Sequence, residues 1–239
     1  MENATLIAAS RAVALERQMS VIANNVANMD TNGFKAGTPL FIEQLNRMSD
    51  TEKYSMVENR GILRDLADGP ISQTGNPLDV ALEGDGYFVV DTLNGNRYTR
   101  AGNFSLNDQR ELVNASGLPV LDDTGNRLVV PANTRDIRIT AEGVVSTELG
   151  QVGRIGVVSF TREQFMTELG NSLYSTDEQP IPEPETKVRQ GFLEGSNVKA
   201  VAEMTNMIEV NRQYQNIQKL LSNEHDRLRN AYGKLTKLS

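Results

Sequence analysis

The 239-residue chain has no cysteine, no tryptophan, one histidine, and aromatic residues at only 5%. Without cysteine there is no disulfide framework and no thiolate metal site. A catalytic or metal-bound histidine needs partners, and His225 stands alone between Glu224 and Asp226; it reads as a solvent-side helix residue. No apolar run reaches the roughly 18–20 residues that cross a bilayer, so direct membrane insertion is not expected. The N-terminus lacks a basic segment followed by an apolar stretch and a small-residue cleavage site. If the protein leaves the cytoplasm, the expected route uses no cleaved signal peptide. Positive charge is also scarce. The formal net charge is −7, and it lies wholly in the middle, because residues 1–35 are neutral and residues 191–239 carry a small positive excess. An acidic body offers no basic patch to a phosphate backbone, so nucleic acid is not an expected partner.

The familiar chemical motifs are missing as well. There is no G-x-S-x-G, H-E-x-x-H or P-loop. Glu83-Gly84-Asp85-Gly86 has G-x-G spacing but lacks the third glycine and the following helix of a dinucleotide site. It also lacks the ligand pattern of an EF-hand, and reads as a hairpin turn. Asp108, Asp122 and Asp123 read as turn residues, and no two carboxylates are spaced for acid–base work. No catalytic, cofactor or metal residues are expected. Asn3-Ala-Thr5, Asn103-Phe-Ser105 and Asn114-Ala-Ser116 match the glycosylation pattern, which has meaning only in a secretory-pathway protein.

What is present is a helical pattern at both ends. Ala8, Ala12, Leu15, Met19, Ile22, Val26 and Met29 repeat in steps of four and three, a heptad seam. Asn3 is a candidate cap, and Asp30-Thr31-Asn32-Gly33 is a stop signal. A second seam runs through Met207, Val210, Tyr214, Ile217, Leu221, Leu228, Ala231, Leu235 and Leu238, with Glu224 at a skipped position. Val201, Met204 and Ile208 form a stripe offset by one residue. Ser196 or Asn197 could cap this helix, with Glu203 in its first turns. At about 1.5 Å per residue the helices would measure roughly 40 and 60 Å. Such helices gain their stability mainly from packing. Two partners are open on pattern alone: an intramolecular hairpin or neighbouring subunits.

Between the ends the period changes. Leu78–Leu82, Tyr87–Val90, Leu118–Leu121, Leu128–Val130, Ile137–Ile139 and Ile155–Phe160 are short apolar runs separated by Gly/Asn/Asp turns. They predict a mostly antiparallel β domain. Residues 36–74 are mixed and read as a connector. Gln179-Pro180-Ile181-Pro182-Glu183-Pro184-Glu185 reads as a stiff linker. The expected fold class is α+β: paired N- and C-terminal coiled-coil-like helices with an inserted, mostly antiparallel β domain. Segments 1–35 and 191–239 form the terminal helical domain, 36–74 the connector, and 75–190 a β-rich outer domain.

The run Ala23-Asn24-Asn25-Val26-Ala27-Asn28 sets three amides near the end of the first helix. Amides on a packing helix can fix register, but chemistry alone favours a frayed polar end. Asn32-Gly33-Phe34 looks like a turn with an aromatic anchor.

The stretch Ile22–Lys35, read as IANNVANMDTNGFK, resembles the N-terminal signature of flagellar rod, hook and hook-associated proteins. Thr74–Val90, Tyr98–Leu106, Gln190–Val198 and Glu203–Ile208 resemble further blocks of that family, in the same order along nearly the whole chain. Within the family, the length and the opening Met1-Glu2-Asn3 are most similar to the proximal-rod type; a distal rod or hook-type subunit is the alternative. Two departures stand out. The family commonly carries a glycine where this chain has Asp108-Gln109-Arg110-Glu111, and Asn-Pro where it has Lys199-Ala200.

The resemblance implies a non-enzymatic subunit of the flagellar basal body, exported unfolded by the flagellar type III apparatus into the periplasm. Its implied partners are copies of itself, other rod proteins, and the rod cap or muramidase during growth. On that reading Leu15, Met19, Ile22, Val26, Met207, Val210, Tyr214, Ile217 and Leu221 carry the packing. The blocks Asn24–Lys35 and Ser196–Ile208, with Asn24, Asn25, Asn28, Gly33, Phe34, Ser196, Asn197, Val198, Met204 and Ile208, set contacts at the junction with the β body. The competing class, a secreted polysaccharide-binding or hydrolytic β protein, would need a cleft with paired acids.

Overall fold

The computed structural model describes residues 2–47, 53–132, 134 and 136–235. The chain begins with α1 (Glu2–Ala27), β1 (Gly37–Arg47) and β2 (Lys53–Arg64). Then come β3 (Ile71–Gln73), β4 (Val80–Glu83), β5 (Tyr87–Val90), β6 (Arg97–Thr99), β7 (Ser105–Leu106) and β8 (Leu112–Val113). They are followed by β9 (Ile137–Ile139), β10 (Val144–Thr147), β11 (Gly150–Arg154), β12 (Val157–Ser159) and β13 (Thr167–Gly170). The last elements are β14 (Leu173–Ser175), β15 (Ile181–Pro182), β16 (Lys187–Gln190), β17 (Phe192–Glu194) and α2 (Ala200–Leu235). Two compact units emerge. One comprises Met1–Ala27, Gly37–Asp65 and Lys199–Ser239; the other comprises Asn28–Ala36 and Leu66–Val198. The N- and C-terminal helices pack together and flank an inserted, mostly antiparallel β region.

In the first unit the heptad seam is the helix contact. Leu15, Ile22 and Val210 are buried, with Met19, Val26, Met207, Tyr214 and Ile217 packed around them. The helices are antiparallel: Asn25 reaches Glu203, and Arg11 reaches Gln213. Burying a residue such as Leu15 contributes roughly 1.5–3 kcal/mol, so a few seam residues supply most of what a lone helix lacks. The terminal signals need correction. α1 starts at Glu2, so Asn3 lies within its first turn, and α1 ends at Ala27, which leaves Met29 in the following turn. α2 opens at Ala200, where the Glu203 N–H meets the Lys199 carbonyl. Lys199 therefore occupies the capping position, and neither Ser196 nor Asn197 does. The side chains of Leu228, Ala231, Leu235 and Leu238 fall outside the described residues.

Residues read as a connector hold the β1–β2 hairpin, antiparallel from Gly37↔Arg64 to Arg47↔Lys53 with a register shift between Leu40 and Phe41. A two-stranded ribbon is at best marginally stable alone; this one packs on α1. A β-carbon at Gly37 would come within 2.8 Å of Ile62 Cγ2 and 3.6 Å of Val21 Cγ1, so the ribbon approaches Val21, a face of α1 next to the heptad seam.

The second unit is built on a six-stranded sheet of order β13-β14-β6-β5-β12-β15. Successive strand residues point to opposite faces. In β5, Phe88 and Val90 enter one core, with Phe104 edge-on to Phe88 at 5.0 Å, while Tyr87 and Val89 enter the other. This double burial explains an apolar run without polar alternation. Two turn readings change. Glu83–Gly86 is not a hairpin turn, because β4 pairs with β16 and β5 pairs with β6 and β12. The segment links two sheets. The proline-rich stretch is not a free linker, because Ile181–Pro182 pairs with Val158–Ser159 at the sheet edge, the position where proline is tolerated. At Asp108–Glu111 the turn survives without glycine, since Arg110 itself takes φ 65.

Candidate functional site

The expected assembly residues on the two helices separate into two groups. Leu15, Ile22 and Val210 are buried and Met19, Val26, Met207, Tyr214 and Ile217 pack against them, all within one chain. Met204 and Ile208 are exposed, as are Val201 and Leu220 on α2 and Leu6, Ile7 and Val13 on α1; Leu221 is half-buried. The seam is thus satisfied inside the helix pair, and a second apolar stripe remains open to solvent.

The amide run is not a frayed end. Asn25 is buried. Its Nδ2 donates to the Gly37 carbonyl at 2.9 Å and to Glu203 Oε2 at 3.3 Å, and its Oδ1 accepts from the Gly37 N–H at 2.9 Å. One side chain therefore ties α1 to both β1 and α2. Asn24 is exposed, and Asn28 accepts from the Thr31 hydroxyl at 3.1 Å in the turn that closes the segment.

Within the second unit, four segments distant in sequence converge on a buried ion cluster. Glu194, 1% exposed, receives Lys35 Nζ at 2.8 Å on one oxygen and Arg100 Nε at 2.9 Å on the other. The Gly69 N–H donates to the first oxygen at 3.1 Å. Asp68, 45% exposed, closes the cluster against Arg100 at 2.6 Å and Lys35 at 3.4 Å. Arg100 Nη1 donates to the Gly84 and Gly86 carbonyls, each at 2.7 Å. Two cations face two anions, and the bonds supply the pairing that buried charge demands. The positive φ of Gly84 and Gly86 turns this backbone toward the guanidinium.

Gly33 and Phe34 flank the cluster. Gly33 has φ +67 and donates its N–H to the Glu194 carbonyl at 2.9 Å; a β-carbon there would lie 2.5 Å from the Arg100 carbonyl carbon. Phe34 is buried, and its carbonyl accepts from Asn197 N–H. The Asn197 side chain accepts from Ala36 N–H at 2.7 Å and donates to the Ala67 carbonyl at 2.9 Å. Ser196 is buried and accepts from Val198 N–H at 3.2 Å. Asn197 thus stitches segments instead of capping a helix. Arg100, Glu194 and Asp68 were not singled out in the sequence. The available signal was that Lys35, Arg100 and Glu194 each lie inside one of the family blocks.

Among the described residues there is no group of three or more metal-ligating side chains, and no helix is long and apolar enough to cross a membrane. The arrangement holds segments together and presents surface.

Three family descriptions match the chain in succession. Residues 6–35 match the flagella basal body rod protein family, 81–147 the flagellar hook protein FlgE/F/G D1 domain, and 189–232 the flagellar basal body rod FlgEFG protein C-terminal family. The chain is 34% identical over 245 residues to the flagellar basal-body rod protein FlgF of Caulobacter vibrioides, covering 100% of both. It is 34% identical to FlgF of Mesorhizobium japonicum, covering 92% of each. To FlgG of Bacillus subtilis it is 30% identical, covering 87% of this chain and 89% of the other.

Proposed function

The chain belongs to the flagellar basal-body rod FlgE/F/G family, and from that premise we propose that it is a proximal-rod subunit of the FlgF type. As a member of this structural, non-enzymatic family it is a rod protein that assembles with other rod proteins. The observation that carries the finer reading is the similarity to FlgF of Caulobacter vibrioides along the whole of both chains.

In this reading the terminal helices form the inner wall of a tube and the β-rich region, 75–190, its outer layer. The seam Leu15, Met19, Ile22, Val26, Met207, Val210, Tyr214, Ile217 and Leu221 holds each subunit's helix pair. The open stripe with Met204 and Ile208 meets neighbouring helices. A shaft made this way transmits torque because every subunit is bound on several sides, whereas one helix pair alone is marginal. Asn25, with Asn24, Asn28, Gly33, Phe34, Ser196, Asn197 and Val198, fixes the local geometry at the ends of the crossing segments. The subunit travels unfolded through the flagellar type III apparatus, acts in the periplasm, and meets the rod cap or muramidase during growth.

The test is a density map of purified basal bodies. The chain is expected between the membrane ring and the distal rod, with its terminal helices lining the channel. Density for it only in the distal rod or hook would replace the proximal assignment with the distal or hook-type one.

A further inference from the structure

Four asparagine–glycine or aspartate–glycine pairs occur in the sequence: Asn32-Gly33, Asp68-Gly69, Asp85-Gly86 and Asn94-Gly95. In such a pair the glycine nitrogen can attack the carbonyl carbon of the preceding side chain, because no β-carbon stands in the way. Whether it does so depends on the freedom of that nitrogen. Gly33, Gly69 and Gly86 are buried, whereas Gly95 is exposed. The Gly33 N–H is donated to the Glu194 carbonyl at 2.9 Å, and the Gly69 N–H to Glu194 Oε1 at 3.1 Å. The Gly86 carbonyl is held by Arg100 Nη1 at 2.7 Å, and a β-carbon on Gly86 would lie 3.0 Å from Val157 Cγ1. The ion cluster and its surroundings therefore lock three of the four pairs.

The fourth pair lies in the open turn between β5 and β6. Leu93, Asn94, Gly95 and Asn96 are all exposed, Leu93 completely. The Gly95 N–H is bonded within the turn, to the Thr92 carbonyl at 3.0 Å, where water can replace the acceptor. A β-carbon on Gly95 would meet only Arg97 Nη1, at 3.9 Å, so the Asn94 side chain has room to fold onto that nitrogen. We infer that Asn94-Gly95 is a site of spontaneous deamidation, and that the fold shields the other three pairs from the same cyclisation. The Gly95 nitrogen attacks Asn94 Cγ. The N–Cγ bond forms, the Cγ–Nδ2 bond breaks, and the Gly95 amide proton leaves with Nδ2 as ammonia. Water then opens the cyclic imide. Opening at Cγ leaves aspartate; opening at the main-chain carbonyl leaves isoaspartate, with the chain running through the side chain. Either product adds negative charge to a body that is already acidic. Isoaspartate also adds a methylene to the main chain of the turn that sets the Val90↔Arg97 pairing. The inference is independent of the rod assignment.

The experiment incubates the full folded chain at mildly alkaline pH and maps its peptides by mass spectrometry, with isoaspartate counted by an isoaspartyl methyltransferase. Conversion is expected at position 94 at least about tenfold faster than at position 32, the factor set by one buried hydrogen bond that must open first. In urea the Asn32 rate should rise to that of Asn94, because both are then asparagine–glycine pairs in an open chain. Asn94→Gln should remove the folded-state signal, since the longer side chain closes its ring far more slowly. Equal rates at positions 32 and 94 in the folded chain would overturn the proposal, as would isoaspartate at 68 or 85 in excess of that at 94. So would a position 94 that stays intact in the folded chain while it converts in urea.

Discussion

Lys35 and Glu194, 159 residues apart in sequence, meet at 2.8 Å with their side chains 4% and 1% exposed. The pair is the centre of a cluster that binds residues 35, 68, 100 and 194 into one knot.

Removing one partner should leave the others as uncompensated buried charge. Glu194→Gln is expected to destabilise the second unit by about 3–5 kcal/mol, whereas Asp68→Asn, at a half-open position, should cost about 1 kcal/mol or less. Urea unfolding of both variants checks this. Equal losses would mean that burial of Glu194 does not control the cluster.

Asn25 should tolerate no isosteric charge. Asn25→Ala leaves the Gly37 backbone groups without their partner and is expected to cost about 1–3 kcal/mol. Asn25→Asp should cost more, because a carboxylate cannot donate to the Gly37 carbonyl and repels Glu203. Glu203→Gln should recover part of that excess. Calorimetry of the three variants gives the order, and an aspartate no worse than alanine contradicts it.

Val26→Asp or Ile217→Asp places a charge in the packed helix seam. Each is expected to abolish rod assembly and swimming while the β unit keeps its near-ultraviolet circular dichroism. Normal motility in both variants would refute the seam assignment.

Arg110 holds a left-handed conformation at φ 65 in a turn closed by Asn107. That conformation costs a residue with a β-carbon roughly 1–2 kcal/mol. Arg110 recovers part of the cost by donating to the Pro131 carbonyl at 2.9 Å. Arg110→Gly should therefore stabilise the chain by about 0.5–1 kcal/mol net of glycine's unfolded-state entropy. A fall in the thermal midpoint would show that the Pro131 contact outweighs the strain.

Burial pushes the Asp122 carboxyl up, but hydrogen bonds from the Thr124 hydroxyl and from the Asn126 and Thr124 N–H groups prevail and hold it below its ordinary 3.8. A lowered folded value stabilises the protein above the ordinary one and loses that effect as pH falls through the lowered value. The stability gap between the parent chain and Asp122→Asn is expected to be level above about pH 5 and to narrow progressively as pH falls below about 4. A gap that stays constant under acid would refute the effect.

The sequence by itself determined the two terminal helices, though not their pairing, and the many-stranded character of the middle. The four-three spacing of Leu15, Ile22 and Val26 puts them on one helix face whatever lies opposite, and Tyr87–Val90 is too short and too apolar for anything but a buried strand. Tertiary structure decided that the β1–β2 ribbon forms at all, because its mixed pattern becomes stable only against α1. It also decided that Ile181–Pro182 pairs at a sheet edge and that Asn25 is buried. Above all it decided which charges go inside. In sequence, Lys35, Arg100 and Glu194 look like any solvated residue, since local periodicity assigns faces but cannot see partners a hundred residues away. A charge can be buried only where opposite charge and backbone dipoles arrive together, and that convergence belongs to the fold.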